Sequence, residues 1–244
     1  MIYYFSGTGN SKWVAQQMAA QMNEQMRDII PKSSQHDLQE EKFIGFVFPI
    51  YAWGVCKPMM EFVKQLPPTS AFTFAICTCG ADSGNAMKEL KKVYRIDSCY
   101  SIEMPSNYII GEDLEPADVI EKKIAAAKQQ IENMAREILE HRTIMHVHEG
   151  SFPWMKTKMI HPLFERFATT TRPFTIDLDR CNGCGWCAAH CPAATIQMVD
   201  GKPTWNEHCY QCLRCLNGCP QTAINYGKHT QDRKRYRLEE YLKR

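Results

Sequence analysis

The sequence predicts an α/β domain built on a doubly wound, parallel, five-stranded sheet, followed by a small cysteine-rich α+β domain. Two observations lead to this prediction. Apolar runs of strand length alternate with amphipathic helical segments over residues 1–140, which is the pattern of a parallel sheet covered by helices. Eight of the twelve cysteines then fall in two short runs near the C-terminal end. The 244-residue chain is long enough for both domains.

The composition is that of an ordinary globular protein. Hydrophobic residues make up 44%, charged residues 23%, and the net charge is +2. So small a charge indicates no electrostatic field directed at nucleic acid. The N-terminus lacks a basic segment followed by an apolar core, and no window is apolar enough to span a bilayer. We therefore expect a cytoplasmic protein without membrane association.

Hydrophobic patterning sets the order of the elements. The run at 43–48 is apolar throughout, as expected for a strand buried on both faces of a parallel sheet. The polar segment 31–42 is expected to form a loop or a weak helix. The predicted strands are 1–5, 27–30, 43–48, 72–77 and 98–104. Helical spacing predicts helices after the first strand, at 58–66, after residue 85 and at 116–139.

The loop after the first strand has the composition of a phosphate-binding loop. Glycines let backbone N–H groups approach an anion, hydroxyl groups donate further hydrogen bonds, and the N-terminus of the following helix adds a favourable dipole. Neither GxxxxGK[ST] nor GxGxxG is present, which argues against a nucleotide-hydrolysing loop. The alternative is an ordinary strand-to-helix turn with an N-cap. The loop consists of Ser6, Gly7, Thr8, Gly9, Asn10 and Ser11.

This loop resembles the FMN phosphate loop of flavodoxins, whose pattern is Ser/Thr-x-Thr-Gly-x-Ser/Thr. The four specified positions are filled in order by Ser6, Thr8, Gly9 and Ser11. The resemblance implies FMN as a cofactor, a flavodoxin-like strand order of 2-1-3-4-5, and further flavin contacts from loops at the same edge of the sheet.

The resemblance also implies which residues contact the flavin ring. In flavodoxins an aromatic side chain after the third strand covers one face of the flavin. Trp53 is the first candidate and Tyr51 the second, and either is alternatively a core aromatic. Cys79 lies near the flavin or is simply a small residue in a tight place. The implied contacts are Tyr51, Ala52, Trp53, Gly54, Thr78, Cys79, Gly80, Gly84, Asn85 and Asn107, and Tyr108 is a further candidate for the flavin or substrate side.

The two cysteine runs form an internal repeat. They read Cys181-x2-Cys184-x2-Cys187-x3-Cys191-Pro and Cys209-x2-Cys212-x2-Cys215-x3-Cys219-Pro. Each cysteine of the second run follows its counterpart by 28 residues. This is the bacterial ferredoxin pattern for [4Fe–4S] clusters, and two copies imply two clusters. The alternative is a pair of zinc sites, although zinc usually takes two CxxC pairs rather than a triple followed by Cys-Pro.

In two-cluster ferredoxins the fourth cysteine of each run ligates the other cluster. The segment from about Thr175 to Tyr226 resembles such a domain. The resemblance therefore assigns one cluster to Cys181, Cys184, Cys187 and Cys219, and the other to Cys209, Cys212, Cys215 and Cys191. In a reducing compartment the remaining cysteines are expected to be free, mostly buried thiols. They are Cys56, Cys77, Cys79 and Cys99.

The chain is thus divided into four segments. We expect a flavodoxin-like FMN domain over 1–140, a helical linker over 141–173, a ferredoxin domain over 174–227 and a basic tail over 228–244. The linker contains a helical segment, 153–167, rich in large apolar residues. We expect it to pack between the domains, with a membrane surface as the alternative. The tail is expected to be solvated, with docking of an acidic redox partner as the alternative.

Over nearly its full length the chain resembles the bacterial flavodoxin–ferredoxin fusion proteins of the EFR1 family, a group within the iron–sulfur flavoproteins. The resemblance implies electron transfer between FMN, two [4Fe–4S] clusters and an external redox protein or small-molecule electron donor or acceptor. One alternative is a flavin-dependent oxidoreductase acting on a small substrate such as a quinone. Another is a sensor with structural clusters, but no DNA-binding motif is evident. No residue is assigned a catalytic role.

Overall fold

The computed structural model describes residues 1–30, 38 and 40–242. The loop or weak helix expected over 31–42 lies mostly outside these residues. Within them, seven strands form one sheet, in the order β2-β1-β3-β5-β6-β7 with β4 paired antiparallel to β3. They are β1 (Ile2–Tyr4), β2 (Met26–Asp28), β3 (Phe43–Tyr51), β4 (Gly54–Val55), β5 (Phe72–Cys79), β6 (Ser98–Glu103) and β7 (Met145–His146).

The sheet is parallel apart from β4, so the predicted α/β class is confirmed. The five predicted strands lie in the order 2-1-3-4-5. The short strands β4 and β7 are additional, and their two residues each are too few to produce a periodic signal in the sequence.

Helices cover both faces of the sheet. They are α1 (Asn10–Met22), α2 (Lys57–Val63), α3 (Ala86–Val93) and α4 (Ala117–Leu139). Helices α1 and α4 share one hydrophobic core, and α2 and α3 share the other. Strand β3 supplies both cores, because successive side chains of a strand point to opposite faces. Phe43 and Val47 belong to the first core, and Phe46 and Phe48 to the second.

The cysteine-rich part forms two small antiparallel sheets around its own core. Strand β8 (Phe174–Ile176) pairs with β11 (Ile224–Tyr226), and β9 (Ile196–Val199) pairs with β10 (Lys202–Trp205). Helices α7 (Trp186–Ala189) and α8 (Arg214–Gly218) follow the first cysteines of each run. Buried side chains of both repeats fill this core, including Ile196, Leu216 and Ile224.

Residues 153–168 form one continuous helix, here called the connecting helix. It consists of α5 (Pro153–Met155), α6 (His161–Leu163) and two π-helical segments, Lys156–Ile160 and Phe164–Ala168. The sequence predicts that this helix packs between the domains, yet most of its large apolar side chains are exposed. Trp154 and Phe167 are each 62% exposed, and Thr157 is only 5% exposed. A polar face therefore packs on the α/β domain, because its groups find hydrogen-bond partners there.

The C-terminal segment also differs from its prediction as a solvated tail. Tyr236 and Leu238 are 1% and 2% exposed, and both belong to the core shared by α1 and α4. The Arg235 guanidinium donates from Nη1 and Nη2 to the carbonyl oxygens of Thr230, Arg233 and Ile224, while its buried Nε has no partner among the described residues. The chain then ends in α9 (Glu239–Leu242). The free energy gained by burying Tyr236 and Leu238 is larger than the cost of drawing their charged neighbours toward the protein surface. No helix in the described ranges is long and apolar enough to cross a membrane.

Candidate functional site between the sheet edge and the second cysteine run

A cavity of about 720 Å³ opens where the C-terminal ends of β3, β5 and β6 face the second cysteine run. Ligands of open α/β sheets bind at this edge. Eight of the sequence-predicted contacts line the cavity: Asn10, Tyr51, Ala52, Trp53, Thr78, Cys79, Gly80 and Asn107. The sequence reasoning named Tyr108 and missed the other lining residues, which include Asp82, Phe164, Gln211, Cys212 and Leu213.

The loop over 6–11 is held in place by its own hydroxyl groups. The Ser6 hydroxyl oxygen accepts a hydrogen bond from the Gly9 amide at 3.1 Å. The Ser11 and Thr78 hydroxyls are 2.8 Å apart, and the Asn107 amide donates to the Thr8 hydroxyl. No side chain of the described residues caps the N-terminus of α1. Its first-turn N–H groups, which have no acceptor within the helix, remain available to an anion.

The same loop lies against the second cysteine run. A Cβ atom on Gly7 would come within 2.2 Å of the Cys212 carbonyl oxygen, so only glycine permits this approach. Arg214 donates a hydrogen bond from Nη2 to the Ser6 carbonyl oxygen at 2.6 Å and from Nη1 to the His190 carbonyl oxygen at 3.1 Å. The two loops therefore meet beside the cavity, which Asn10 of the first loop and Cys212 of the second both line.

A strained turn presents Trp53 to the cavity. Ala52 and Trp53 have φ angles of 44° and 63°, a backbone region that costs a residue with a Cβ atom roughly 1–2 kcal/mol. The connecting helix holds this turn: the Thr157 hydroxyl donates to the Trp53 carbonyl oxygen at 2.7 Å, and His161 Nδ1 lies 2.9 Å from the Tyr51 carbonyl oxygen. Strain maintained by neighbouring structure is typical of ligand sites.

Eight predicted contacts do not line the cavity. Ser6, Gly7, Thr8, Gly9 and Ser11 belong to the loop after β1, of which only Asn10 reaches the cavity, and Gly54, Gly84 and Asn85 are covered by the connecting helix. A Cβ atom on Gly54 would lie 2.3 Å from the His161 ring, and one on Gly84 would lie 2.6 Å from Thr157 Oγ1. The backbone N–H of Asn85 donates a hydrogen bond to the Thr157 hydroxyl at 2.8 Å. Gly54 and Gly84 are therefore required for contact with the connecting helix. The flavodoxin-like pattern, from which both were predicted to contact the flavin, does not include this helix.

Asp82 lies in the cavity wall, and one of its two carboxylate oxygens has no hydrogen-bond partner in the described part of the chain. Its Oδ2 atom forms an ion pair with Lys156 Nζ at 2.8 Å. Its Oδ1 atom is shielded from solvent and has no hydrogen-bond partner among the described residues. Lys156 Nζ also lies 5.1 Å from the centre of the Trp53 ring. Asp82 lines the cavity, but its shielded Oδ1 atom is not open to solvent there, and a buried oxygen left unpaired costs roughly 1–3 kcal/mol.

The eight cysteines of the repeat surround two further cavities, four to each. One is lined by Cys181, Cys184, Cys187 and Cys219. The other is lined by Cys191, Cys209, Cys212 and Cys215. The structure thus brings together the two sets that the ferredoxin resemblance assigns, with Cys191 and Cys219 each lying in the group of the opposite run.

Burial opposes ionisation of these thiols. Burial raises the pKa of Cys209 to about 12, with further contributions from Cys212 and Cys191. Burial also raises the pKa of Cys187 and, well above its usual range, that of Cys215. Thiolate ligands here need a positively charged iron centre beside them.

The spacing of the eight thiols of the repeat indicates which kind of metal centre they can bind. Among the described residues, no group of three or more His, Cys, Asp or Glu side chains is close enough together to hold a single metal ion. A [4Fe–4S] cube spreads its four thiolates, because each binds a different corner iron. Four cysteines on different sides of one cavity have that arrangement.

The other four cysteines are free and buried, as expected. Burial raises the pKa of Cys99 to about 11 and raises those of Cys56 and Cys77 further. Buried thiols of this kind are inert.

Comparison with known proteins identifies the C-terminal part of the chain. Residues 180–235 match the family described as the 4Fe-4S dicluster domain, so the predicted iron–sulfur domain is confirmed. None of the curated proteins compared with the chain matches it significantly.

Two solved structures share limited likeness with the chain. A provisionally named flavoprotein from Bacteroides uniformis is 13% identical, covers 56% of this chain and 96% of its own, and has a TM-score of 0.42. Another from Bacteroides eggerthii is 16% identical, with coverage of 41% and 83% and a TM-score of 0.34. Both scores are below 0.5, and neither likeness supports a conclusion about this chain.

Proposed function

We propose that this chain is an electron-transfer iron–sulfur flavoprotein of the flavodoxin–ferredoxin fusion type. FMN binds in the 720 Å³ cavity, and the two groups of four cysteines each hold a [4Fe–4S] cluster. The observation that carries this proposal is the meeting of two loops beside this cavity. The loop over 6–11 contacts the cysteine loop at Cys212, and Asn10 of the first loop and Cys212 of the second both line the cavity.

The residues around the cavity fit FMN. The uncapped N-terminus of α1 and the hydroxyls of Ser6, Thr8 and Ser11 suit a phosphate group. Tyr51 and Trp53 supply aromatic surface for the flavin ring.

The residues around the cysteine cavities fit iron–sulfur clusters. Thiolates are the soft ligands that such clusters require. Burial of Cys187, Cys212 and Cys219 excludes water from much of each site. In this position the chain orients the ligands and sets the local polarity, which are the properties through which proteins tune cluster potentials.

Bound FMN exchanges electrons in ones or twos, whereas each cluster exchanges one at a time. The chain's own part is to hold the three sites at fixed separation and to shield them from solvent. The partner is an external redox protein or a small-molecule electron donor or acceptor.

Anaerobic purification followed by iron, sulfide and flavin assays on one sample tests this function. We expect about eight iron atoms per chain, two [4Fe–4S] clusters, together with one FMN. Eight iron atoms without flavin would refute the flavin part of the proposal. Zinc in place of iron would refute the cluster part.

A second candidate function is reduction or oxidation of a small substrate, such as a quinone, at the same cavity. It is favoured by the polar lining that Asn107, Tyr108 and Glu112 give to one side of the cavity. Tyr108 is 38% exposed there, so this side has access to solvent. Saturable oxidation of the reduced protein by a soluble quinone would support this candidate, and a rate strictly proportional to quinone concentration would contradict it.

A further inference from the structure

Only one of the two cysteine groups meets the flavin cavity. Gln211, Cys212 and Leu213 line that cavity, and Cys212 also lines the space shared with Cys191, Cys209 and Cys215. None of the residues that line the flavin cavity in the described structure is a cysteine of the other group. We call the group of Cys191, Cys209, Cys212 and Cys215 the inner group.

Contact between the inner group and the predicted phosphate loop is direct. The Cys212 carbonyl oxygen occupies the space that a Gly7 side chain would need. Arg214, two residues after Cys212, donates to the Ser6 carbonyl oxygen. The inner group therefore lies against the predicted phosphate loop through the Cys212 carbonyl and the Arg214 side chain.

The other group contains the one cysteine of the eight that is exposed to solvent. Of its members, Cys184 is exposed to solvent and Cys181 is partly exposed. We call Cys181, Cys184, Cys187 and Cys219 the outer group. The two groups are joined through the chain, because α7 and the residues after it lead from Cys187 of the outer group to Cys191 of the inner group. A second link runs from Cys215 to Cys219 through α8.

We propose that electrons pass in a set order: flavin, inner cluster, outer cluster, and then an external partner at the surface around Cys184. This inference rests on the proposed function. The rate of electron tunnelling falls steeply as the distance between two redox centres grows. The inner cluster is therefore the one that exchanges with the flavin, and the outer cluster exchanges with the partner.

Oxidation of the fully reduced flavin releases two electrons and two protons. The electrons pass singly through the inner cluster to the outer cluster and reduce two molecules of a one-electron carrier protein, and the protons pass to water. In the opposite direction, two reduced carriers supply the electrons and water supplies the protons.

Two matched substitutions test the order. Cys181→Ala and Cys209→Ala each remove the first cysteine of a run, one from the outer and one from the inner group. Each holoprotein is photoreduced at the flavin by a light flash, and reoxidation of the flavin is followed by transient absorbance. We expect a fast phase in the wild type and in Cys181→Ala, with a smaller cluster bleach in the latter. We expect the fast phase to be lost in Cys209→Ala.

The reverse pattern, with the fast phase lost in Cys181→Ala and kept in Cys209→Ala, would overturn the proposed order. Absence of flavin or iron from the wild type is a different result, because it refutes the proposed function before the order is measured. The two failures are therefore distinguishable.

If Cys209→Ala does not fold, a second measurement still tests the order of electron transfer. The two clusters of the wild type are titrated by electron paramagnetic resonance with FMN bound and after its removal. The signal missing from Cys181→Ala belongs to the outer cluster. We expect FMN to shift the midpoint potential of the remaining, inner signal. A shift confined to the outer signal would overturn the inference.

Discussion

At the scale of single residues, Gly7 is a point of close contact between the α/β domain and the second cysteine run. A Cβ atom there would meet a backbone carbonyl at 2.2 Å, which cannot rotate away as a flexible side chain can. We expect Gly7→Ala to lower the free energy of unfolding by about 1–3 kcal/mol and to weaken FMN binding. Gly80→Ala is the control for stability, because nothing lies within 4 Å of its Cβ position. Equal thermal stability of the two variants would contradict this account.

Arg214 is a positioning residue for the same contact. Its guanidinium joins the Ser6 and His190 carbonyl oxygens and lies 5.9 Å from the centre of the Phe5 ring. We expect Arg214→Ala to weaken FMN binding, measured by fluorescence titration, and to shift the inner cluster potential. Arg214→Lys retains one donor and is expected to fall between the alanine variant and the wild type. An alanine variant with unchanged affinity and unchanged potential would exclude this positioning role.

At the scale of elements, the connecting helix acts on the flavin site through its polar face. Thr157 accepts from Asn85 and donates to Trp53, and each buried group left unpaired costs about 1–3 kcal/mol. We expect Thr157→Val to reduce stability by this order and to weaken FMN binding, because the turn that presents Trp53 loses its support. Thr169→Val removes a hydroxyl that bonds only to the Glu165 carbonyl oxygen at the surface. If both valine variants bind FMN equally, the support is not provided by Thr157.

The elements differ in how far the sequence revealed them. The periodicity of α4 indicates 116–139, and the helix spans Ala117–Leu139. The apolar pattern of the connecting helix indicates an internal helix, yet its apolar side chains are exposed. Periodicity reports which residues share a face. The direction of that face depends on partners elsewhere in the chain, here the Trp53 carbonyl and Asp82.

At the scale of the whole molecule, Tyr236 joins the C-terminal segment to both domains. Its hydroxyl donates to Asn10 Oδ1 at 2.7 Å, and its amide donates to Asn217 Oδ1 at 2.9 Å. We expect Tyr236→Ala to lower the free energy of unfolding by about 3–5 kcal/mol, as for other buried aromatic side chains. Leu242→Ala, at a position 42% exposed, is the control.

Tyr236→Phe separates packing from the hydrogen bond. It keeps the ring in the core but removes the hydroxyl that donates a hydrogen bond to Asn10 Oδ1. Asn10 lines the flavin cavity. We expect weaker FMN binding with unchanged iron content. Loss of iron together with flavin would show instead that this segment holds the whole molecule together without acting on the flavin site.

The sequence alone determined the elements whose signal is local. Cysteine spacing and the 28-residue repeat predicted the iron–sulfur domain, because ligands of one loop are close in sequence. Alternating apolar runs and helical periodicity predicted the parallel sheet. A small-residue loop before a helix predicted the candidate phosphate site. Each of these patterns reflects chemistry within about thirty residues.

Only the tertiary structure decided how these parts meet. The contact of Gly7 with Cys212 joins residues more than two hundred positions apart, and no local pattern reports such a pairing. The same holds for the burial of Tyr236 beside α1 and for the cover that the connecting helix places over Gly54 and Gly84. Close packing between distant segments depends on the shape of both surfaces, which exist only after the chain has folded.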